Sequence, residues 1–358
     1  MPRIIASAKN WIEGEAVRQL ERASGLAGMA EAVGLPDLQP GGKGYPVGAA
    51  FAACDVLYPY LIGNDIGCGV GLWQTDMLRK KLKIDRLEKR LAVFNDERGA
   101  TAGGETPFDG SLGTLGGGNH FAELQAVERV YEEQAFTALG LSRDALTLLV
   151  HSGSRGLGEM ILRSHIDRFR DAGLVASSPE ASAYLSRHDE ALGWAKENRK
   201  RLAQFILQAA GAEGELLLDL PHNFISQETV ADHTYWLHRK GAVSSLAAAV
   251  VIPGSRGSMT YLVRPVGDPA RSLYSLPHGA GRKWQRSECR ARLERKFTPD
   301  DLRRPPTGGR VLCPSKDLLY EEAPQAYKNI DIVIADLLEH GLVEVIAVFR
   351  PVLTIKDF

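Results

Sequence analysis

Several glycine-rich segments of the chain carry side chains that could bind a metal or attack a phosphate. They are NDIGCG (64–69), GTLGGGNHF (113–121), HSGSRGLG (151–158), PHNF (221–224) and HGAGR (278–282). Their reactive side chains are those of Asp65, Cys68, Asn119, His120, His151, His222 and His278. One histidine beside glycine is usually structural, but four of the nine histidines lie in these turns, where glycine lets the backbone approach an ion closely. Since thiolate, imidazole and carboxylate together suit Zn, Mn or Fe better than Mg or Ca, we predict a transition-metal site.

Asp65 and Cys68 lie three residues apart in one glycine-rich turn, so both side chains can reach one point or two adjacent points. A thiolate can bridge two cations, and a bound cation would hold Cys68 deprotonated at neutral pH. Two neighbouring metals are suited to clamping a phosphoryl group during an in-line displacement. From the residues alone we therefore predict a metal-dependent enzyme that acts on phosphate.

The remaining histidines and cysteines are weaker candidates. His165, His188 and His340 lie in charged stretches that favour helix, and we expect them on the surface. His233 and His238 flank an aromatic pair and are expected to pack or to form local hydrogen bonds. The other thiols are expected to be buried or idle. They belong to Cys54, Cys289 and Cys313.

The elements that must position these side chains are short apolar runs, each ending in a turn marked by Gly or Pro. The runs cover 57–62, 146–150, 215–220 and 246–252. Such runs are typical of buried strands that deliver polar loops to a common place. We therefore predict an α+β fold in which central β-sheets flanked by helices form a single compact catalytic unit over residues 1–358.

Helical periodicity predicts helices over 78–91, 189–210 and 324–340, the last two ending at glycine. The basic charges of the first helix are expected to form a solvated face, which is the usual role of such a run. The segment GGKGY (41–45) is expected to form a turn or a mobile loop, because it lacks the spacing of a phosphate-binding Walker motif.

Composition excludes several classes of protein. With 43 Lys and Arg against 44 Asp and Glu, the net charge of −1 disfavours a nucleic-acid binder that relies on bulk positive charge, although a local basic groove stays open. Four cysteines in 358 residues are too few for a disulfide scaffold. The first residues lack the apolar stretch of a signal peptide, and no apolar run approaches the roughly 18 residues of a membrane span, so we expect a cytoplasmic protein without a membrane partner.

The motifs in their order resemble the RtcB family of GTP-dependent RNA ligases over most of the chain. The matching segments are DIGCG, GTLGGGNHF, HSGSRGLG, HN, HRKGA (238–242), PGS (253–255), HGAGR and the tail EAPQAYKNIDIVI…RPVLTIK. The resemblance implies an RtcB-like fold, two Mn²⁺ ions and a histidine that is guanylylated by GTP. It also implies that an RNA 3′-phosphate or 2′,3′-cyclic phosphate end is joined to a 5′-hydroxyl end, in RNA repair or tRNA splicing.

The same resemblance assigns roles to individual residues. Cys68 would bridge both metals, His151 and His222 would complete one site, and Asp65 and His120 would complete the other. The nucleophile would be His278. The GTP pocket would include Asn119, Glu123, Ser255, His278, Gly279, Ala280, Gly281, Tyr327 and Lys356. Because guanine presents N1 and N2 donors that adenine lacks as a pair, the Glu123 carboxylate would favour GTP over ATP.

Four cations resemble the phosphate-binding residues of the family and would give a neutral protein a local positive groove for RNA ends. They are Arg155, Lys240, Arg282 and Arg286. Lys283, Trp284 and Arg256 depart from the usual family pattern, which is typical of a divergent branch. Whether the protein needs an activating protein partner stays open. So do two alternatives: a metal-dependent 2′,3′-cyclic phosphodiesterase that does not seal ends, and a non-catalytic RNA-end binder.

Overall fold

The computed structural model of the protein describes residues 1–98, 109–230 and 233–356. The α-helices in these ranges are α1 (Gly14–Ser24), α2 (Ile84–Arg98), α3 (Glu133–Ala138), α4 (Gly156–Phe169), α5 (Pro179–Ala210), α6 (Arg286–Leu293), α7 (Pro299–Arg303), α8 (Lys316–Glu321) and α9 (Ile330–Glu339). Among the helices that are described, none combines the length and the apolar character that a membrane span requires.

Most strands belong to two sheets, with two small strand pairs beside them. The strands are β1 (Arg3–Ile4), β2 (Met29–Gln39), β3 (Val47–Ala53), β4 (Val56–Leu57), β5 (Gly69–Leu78), β6 (Phe121–Val130), β7 (Ala145–Ser152), β8 (Leu174–Val175), β9 (Gly214–Pro221), β10 (Asn223–Val230), β11 (His233–Lys240), β12 (Ala242–Ser244), β13 (Val250–Pro253), β14 (Thr260–Pro265), β15 (Ser275–Pro277), β16 (Arg310–Leu312) and β17 (Val343–Ile355). A five-stranded sheet has the order β1-β2-β3-β11-β10, and an eight-stranded sheet has the order β13-β14-β17-β6-β7-β5-β9 with β16 beside β17. The α+β prediction with central sheets and flanking helices is confirmed.

Strand β7 shows why the eight-stranded sheet is central. All eight of its residues are buried, without the alternation of a half-exposed strand. Leu148 packs in a cluster with Leu202 and Ile206 of α5, while Leu149, on the other face, packs with Phe349 of β17. A strand covered on both faces reads as a continuous apolar run, which is how it was recognisable in the sequence.

The register of this sheet brings chain segments that are far apart in sequence to one edge. Phe121 at the start of β6 pairs with His151 near the end of β7, and Gly69 at the start of β5 pairs with both Ser152 and Pro221. Because these neighbouring strands are antiparallel, the start of one lies beside the end of the next. The predicted convergence of polar turns at one place is therefore a consequence of strand register.

Helix α5 extends further towards its N-terminus than the predicted 189–210. It begins at Pro179, and the Ser178 side chain accepts a hydrogen bond from the Ala181 amide. Serine at the N-cap followed by proline is a standard start for a helix. The end at Ala210 agrees with the prediction, and Gly211 has the left-handed conformation (φ 67°) that favours glycine.

Four of the predicted elements differ in extent or type. The helix predicted over 78–91 begins only at Ile84, because Leu78 ends strand β5 and Arg79–Lys81 forms a 3₁₀ turn. The run 57–62 continues as a strand only to Leu57, since Pro59 begins a 3₁₀ turn and has no N–H for a strand ladder. The run 246–252 is strand only from Val250, where pairing with β14 begins. The helix predicted over 324–340 is a 3₁₀ turn followed by α9, which starts at Ile330 after the Asn329 N-cap.

Two histidines that were expected on the surface are buried, so that prediction is wrong. His165 of α4 is 4% exposed, and its ring lies 6.1 Å from the ring of Tyr184 on α5. His188 is fully buried, and its Nε2 accepts a hydrogen bond from the Ile225 amide, 3.0 Å away. Charged neighbours in sequence do not show which face of a helix packs, because residues one or two positions apart point in different directions.

The other histidines and thiols vary in exposure. His238 is buried and accepts a hydrogen bond from the Tyr58 amide, as expected of a packing residue, while His233 is exposed beside the ring of Tyr235. His340 is half-buried. Cys289 and Cys313 are buried and Cys54 is exposed.

Candidate active site

The five predicted metal-ligand side chains lie together at the edge of the eight-stranded sheet. Their ligand atoms form two groups, Cys68 with His151 and His222, and Cys68 with Asp65 and His120. Within each group the ligand atoms lie within 4.8 Å of one another. The Cys68 sulfur is common to both groups, which is the arrangement that a bridging thiolate requires.

The contacts within this cluster, which we call the ligand cluster, are close. The Cys68 Sγ lies 3.3 Å from His120 Nε2 and 3.2 Å from His151 Nε2. His120 Nε2 is 2.8 Å from Asp65 Oδ2, and His151 Nε2 is 3.3 Å from His222 Nε2. All four imidazole and thiol side chains are at most 5% exposed. Polar groups packed so tightly and away from water need a common partner, and a cation provides one.

Hydrogen bonds to backbone carbonyls orient two of the histidine rings of the ligand cluster. The Nδ1 of His120 lies 3.1 Å from the Leu115 carbonyl oxygen, and the Nδ1 of His151 lies 3.2 Å from the Asn119 carbonyl oxygen. Nδ1–H donation to a carbonyl leaves the Nε2 lone pair facing the cluster, as in most metal-binding histidines. The Nδ1 of His222 is buried and has no hydrogen-bond partner among the described residues.

Electrostatics also favour a cation in the ligand cluster. Burial, together with the nearby imidazoles, lowers the pKa of His151 and of His222 well below the usual value, so both rings are neutral and able to ligate. Burial and the Asp65 carboxylate raise the pKa of the Cys68 thiol well above its usual value. A metal ligand must be deprotonated, and a bound cation would reverse the effect on Cys68. The donor set of thiol, imidazole and carboxylate therefore fits a transition-metal pair.

His278 lies next to the ligand cluster, on the loop after β15. Its ring is 4.9 Å from the ring of His222, and its Nδ1 lies 2.6 Å from Oδ2 of Asp37. Donation from Nδ1 to this carboxylate leaves Nε2 without a proton and available as a nucleophile. The His278 side chain is 13% exposed, whereas the Asp37 side chain is fully buried.

Asp37 was missed in the sequence. It lies in β2, and two glycines make room for it, since a β-carbon on Gly48 would be 2.5 Å from Asp37 Oδ1 and one on Gly281 would be 2.4 Å from its carbonyl oxygen. Both glycines have positive φ angles, 77° and 72°. The aspartate has no glycine-histidine motif around it, and the signal that could have marked it is only its position between two prolines.

A cavity of about 490 Å³ opens over the ligand cluster and His278. Every residue predicted for the GTP pocket lines it, namely Asn119, Glu123, Ser255, His278, Gly279, Ala280, Gly281, Tyr327 and Lys356. Three of the four predicted phosphate-binding cations line it as well, namely Lys240, Arg282 and Arg286. The fourth, Arg155, lies behind the ligand cluster, with Nη1 3.4 Å from His120 Nδ1.

Glu123 lies on the wall of this cavity with both carboxylate oxygens hydrogen-bonded. Gln125 Nε2 donates to Oε1 over 2.8 Å, and the Thr354 hydroxyl donates to Oε2 over 2.5 Å. Burial raises the pKa of Glu123 to about 7. Lys356 is close by and donates from Nζ to the His120 carbonyl over 3.0 Å, and burial lowers the pKa of Lys356 to about 8.

A second carboxylate, Glu322, was also missed in the sequence. It is 3% exposed and accepts hydrogen bonds from Arg282 Nη1 over 3.0 Å and Arg286 Nε over 3.1 Å. The Tyr327 hydroxyl also donates to it, and Lys356 Nζ lies 3.8 Å away. Burial alone would raise the pKa of Glu322, but the surrounding cations outweigh it and lower the pKa to about 2. Three cations thus surround one carboxylate, and the excess positive charge suits an anionic ligand.

Comparisons with known proteins agree with this geometry. The family model described as tRNA-splicing ligase RtcB matches residues 19–101 and 95–357. An RNA-splicing ligase RtcB2 of Escherichia coli is 47% identical over 99% of this chain and 95% of its own length. A tRNA-splicing ligase RtcB of Thermococcus kodakarensis is 28% identical over 93% of this chain and 90% of its own length. An RNA-splicing ligase RtcB of Mycobacterium tuberculosis is 31% identical over 69% of this chain and 65% of its own length. On this evidence the chain belongs to the RtcB family.

Proposed function

We propose that the protein is an RNA ligase that joins RNA 3′-phosphate or 2′,3′-cyclic phosphate ends to 5′-hydroxyl ends with GTP and Mn²⁺. One observation carries the proposal: the two ligand groups share Cys68, and this sulfur and other members of both groups line the same cavity as the His278 imidazole. The names of the relatives, RNA-splicing and tRNA-splicing ligases, support a role in RNA repair or tRNA splicing. The proposal treats residues 1–358 as one catalytic unit, because the cavity takes residues from both main sheets and the C-terminal segments.

The ligand cluster would hold two Mn²⁺ ions. Cys68 would bridge them, His151 and His222 would complete one site, and Asp65 and His120 would complete the other. Bound metal would supply Lewis-acid stabilisation of the charge that develops on the reacting phosphate.

His278 would act as the nucleophile on GTP. Its Nε2 lone pair would form a bond to the α-phosphorus, and the bond from that phosphorus to the bridging oxygen of pyrophosphate would break. Asp37 keeps the Nδ1 proton in place and would stabilise the positive imidazole of the adduct. A 2′,3′-cyclic phosphate end would first be hydrolysed by water, which breaks the bond from phosphorus to the 2′ oxygen and leaves a 3′-phosphate. The guanylyl group would then pass from His278 to the 3′-phosphate, and the 5′-hydroxyl of the second RNA end would lose its proton and displace GMP.

The cavity wall would select the nucleotide and orient the RNA ends. Glu123 can accept from guanine N1 and N2, and the Tyr327 ring offers a surface on which the base can stack, with Arg282 lying 5.0 Å from its centre. Arg282, Arg286 and Lys240 would bind phosphates of the nucleotide or the RNA. RNA ends recognised in this way, by their phosphates and terminal hydroxyl groups, would be bound with few contacts to the bases.

Incubation with Mn²⁺ and GTP labelled in the α-phosphate tests the proposal. The wild-type chain is expected to form a covalent guanylyl adduct, and His278→Ala is expected to form none. His233→Ala serves as the matched control, because this exposed histidine lies on the hairpin formed by β10 and β11, and it should react like the wild type. Absence of an adduct from the wild type over a range of divalent metals would refute the ligase mechanism.

A sealing assay on matched RNA ends separates the ligase from the alternative phosphodiesterase. The ligase requires GTP to produce joined RNA. Hydrolysis of 2′,3′-cyclic phosphate ends that is indifferent to GTP, without joined product, would favour the phosphodiesterase instead.

A further inference from the structure

Two adjacent side chains on α5 reach all the segments that carry the ligand cluster. Asn198 is fully buried and Arg199 is 2% exposed, although α5 itself contributes no ligand. Buried polar side chains of this size are costly unless their hydrogen bonds are made, so their partners show what they hold in place. Most of those partners are backbone groups and a serine hydroxyl in the segments that bear the ligands. One further partner, Asp219, lies on the strand that leads to His222.

Asn198 connects the turn before His120 with the end of β7. Its Oδ1 accepts from the Gly113 amide over 2.6 Å, and its Nδ2 donates to the Thr114 carbonyl over 3.1 Å and to the Ser152 Oγ over 3.0 Å. The Ser152 hydroxyl donates in turn to the Leu115 carbonyl over 3.1 Å. That carbonyl is the one facing His120 Nδ1, so a continuous chain of hydrogen bonds runs from Asn198 to the ring of a predicted ligand.

Arg199 connects the same end of β7 with two further segments. Its Nη1 donates to the Gly67 carbonyl over 2.8 Å and to the Ser152 carbonyl over 2.9 Å, and these residues adjoin Cys68 and His151. Its Nε donates to Asp219 Oδ1 over 2.8 Å, and Asp219 lies on β9 three residues before His222. The planar guanidinium offers donors at fixed angles, which suits it to fix three partners at once.

Close packing keeps α5 against the same turn. Gly67 has a positive φ of 74°, and a β-carbon there would lie 3.0 Å from Ala195 Cβ and 3.1 Å from Leu192 Cα. Leu192 precedes Asn198 and Arg199 by about two helical turns and Ala195 precedes them by about one, so one face of the helix lies on the turn that bears Asp65 and Cys68.

We propose that Asn198 and Arg199 are positioning residues that set the distance between the two ligand groups. The inference rests on the proposed function in one respect, that the ligand cluster binds metal. Asn198 fixes the His120 group relative to β7, and Arg199 fixes Cys68, His151 and the strand leading to His222 relative to one another. Residues that orient metal ligands from behind commonly change metal affinity by about 10-fold to 100-fold when they are replaced.

Metal titration of the full chain with Mn²⁺ alone tests this inference. We expect Asn198→Ala and Arg199→Lys each to weaken Mn²⁺ binding by about 10-fold to 100-fold in isothermal titration calorimetry. Lysine keeps a positive charge beside Asp219. It lacks the planar guanidinium whose N–H groups donate to the Gly67 and Ser152 carbonyls. Arg199→Lys should also lose some stability with these hydrogen bonds, which thermal unfolding in the presence of EDTA measures. Its loss of Mn²⁺ affinity should exceed that of a variant that loses as much stability away from the ligand cluster.

Arg239→Met is the matched control for loss of a buried arginine. Arg239 is fully buried in the five-stranded sheet, where it donates to Ser226, Ser275 and Tyr274 and to none of the ligand-bearing turns. We expect it to lower the melting temperature and to leave Mn²⁺ affinity within about twofold of the wild type, inside the usual error of such comparisons.

The outcomes separate the inference from the proposed function. Wild-type Mn²⁺ affinity in Arg199→Lys would overturn the inference, whether or not Asn198→Ala folds. Weakened binding in Arg239→Met equal to that in Arg199→Lys would overturn it too, because the effect would then follow general stability. If the variants lose affinity as expected while the wild type binds Mn²⁺ but gives no guanylyl adduct, the inference stands and the proposed function fails.

Discussion

The ligand cluster and the group around Glu322 share one cavity but are built from opposite kinds of side chain. In the ligand cluster, three imidazoles, a thiol and the Asp65 carboxylate offer donor atoms for a metal. Around Glu322, two arginines and a lysine converge on one carboxylate. The first arrangement is made of side chains that ligate metals, and the second has an excess of positive charge. One cavity can therefore bind cations at one end and the phosphates of a nucleotide or RNA at the other.

The two ends also differ in how they are held. Backbone carbonyls and the buried pair Asn198 and Arg199 hold the ligand cluster at the ends of paired strands. The Glu322 group is assembled from the loop before α6 and the first residue of that helix, the segment between α8 and α9, and Lys356 after β17. Most of its contacts are between charged side chains. Because Glu322 is buried, salt screens these ion pairs less than it screens ion pairs at the surface. His278 lines the same cavity beside the ligand cluster, and substitutions can test each end separately.

Cys68→Ala should have the largest effect, because one sulfur serves both ligand groups. We expect loss of both Mn²⁺ ions and of guanylylation, since each group would keep only two of its three ligands. Metal analysis after gel filtration measures the first effect, and labelled GTP measures the second. Cys54→Ala, at an exposed cysteine, is the control and should keep both metals. Near-full metal occupancy in Cys68→Ala would show that the sulfur does not bridge.

Asp37→Asn should slow guanylylation by His278 without changing metal binding at the ligand cluster. An amide in place of the carboxylate cannot stabilise a positive His278 imidazole and can present an N–H to Nδ1, so the wrong tautomer becomes favoured. We expect guanylylation to slow by about 100-fold to 10,000-fold, the range of general acid–base effects, with Mn²⁺ affinity unchanged.

The control for this substitution is Asp336→Asn. Asp336 is also buried, accepts from Asn10 Nδ2 over 2.6 Å and does not line the cavity. Asp336→Asn should lower the free energy of unfolding without slowing guanylylation in the folded enzyme. An Asp37→Asn variant that reacts at the wild-type rate, or one whose pH–rate profile is unchanged, would remove the positioning role of Asp37.

The contrast between the two ends also explains what could be predicted from the sequence. The ligands were recognisable because each has glycine beside it or follows an apolar strand, and both signals are local. Asp37 and Glu322 carry no such signal, since their partners lie far away in the chain, as with the sequence separation of 241 between Asp37 and His278.

The same limit applies to the fold. Strand β7 was recognisable because burial on both faces makes its whole run apolar, and α5 was recognisable from its apolar stripe and final glycine. The burial of His165 and His188 depends on how α4 and α5 pack on each other, which periodicity does not specify. Asn198 and Arg199 read as ordinary polar helix residues for the same reason.

Glu123→Gln should have a smaller effect, confined to the nucleotide end. The carboxylate can accept from both guanine N1 and N2, whereas a glutamine amide places a donor against one of them. Loss of a hydrogen bond to a charged group costs about 1.5–3 kcal/mol, so GTP affinity should fall by about 10-fold to 100-fold. ATP affinity and Mn²⁺ affinity should stay near the wild-type values, and Glu344→Gln, at a half-exposed surface position, is the control.

The pH dependence sharpens this last prediction. Since burial raises the pKa of Glu123 from 4.5 to about 7, the free chain holds a protonated, poorer acceptor below that pH. The contribution of Glu123 to the free energy of unfolding is accordingly full below pH 4.5 and is lost as the pH rises through about 7. GTP binds the ionised form of Glu123 more tightly. The affinity of the wild type for GTP should therefore rise by up to about tenfold per pH unit up to pH 7 and then level off. Calorimetry at several pH values measures this rise. In Glu123→Gln this part of the pH dependence should disappear, because glutamine does not titrate. An equal pH dependence in both proteins would assign the effect to another group of the cavity and leave Glu123 without a part in guanine selection.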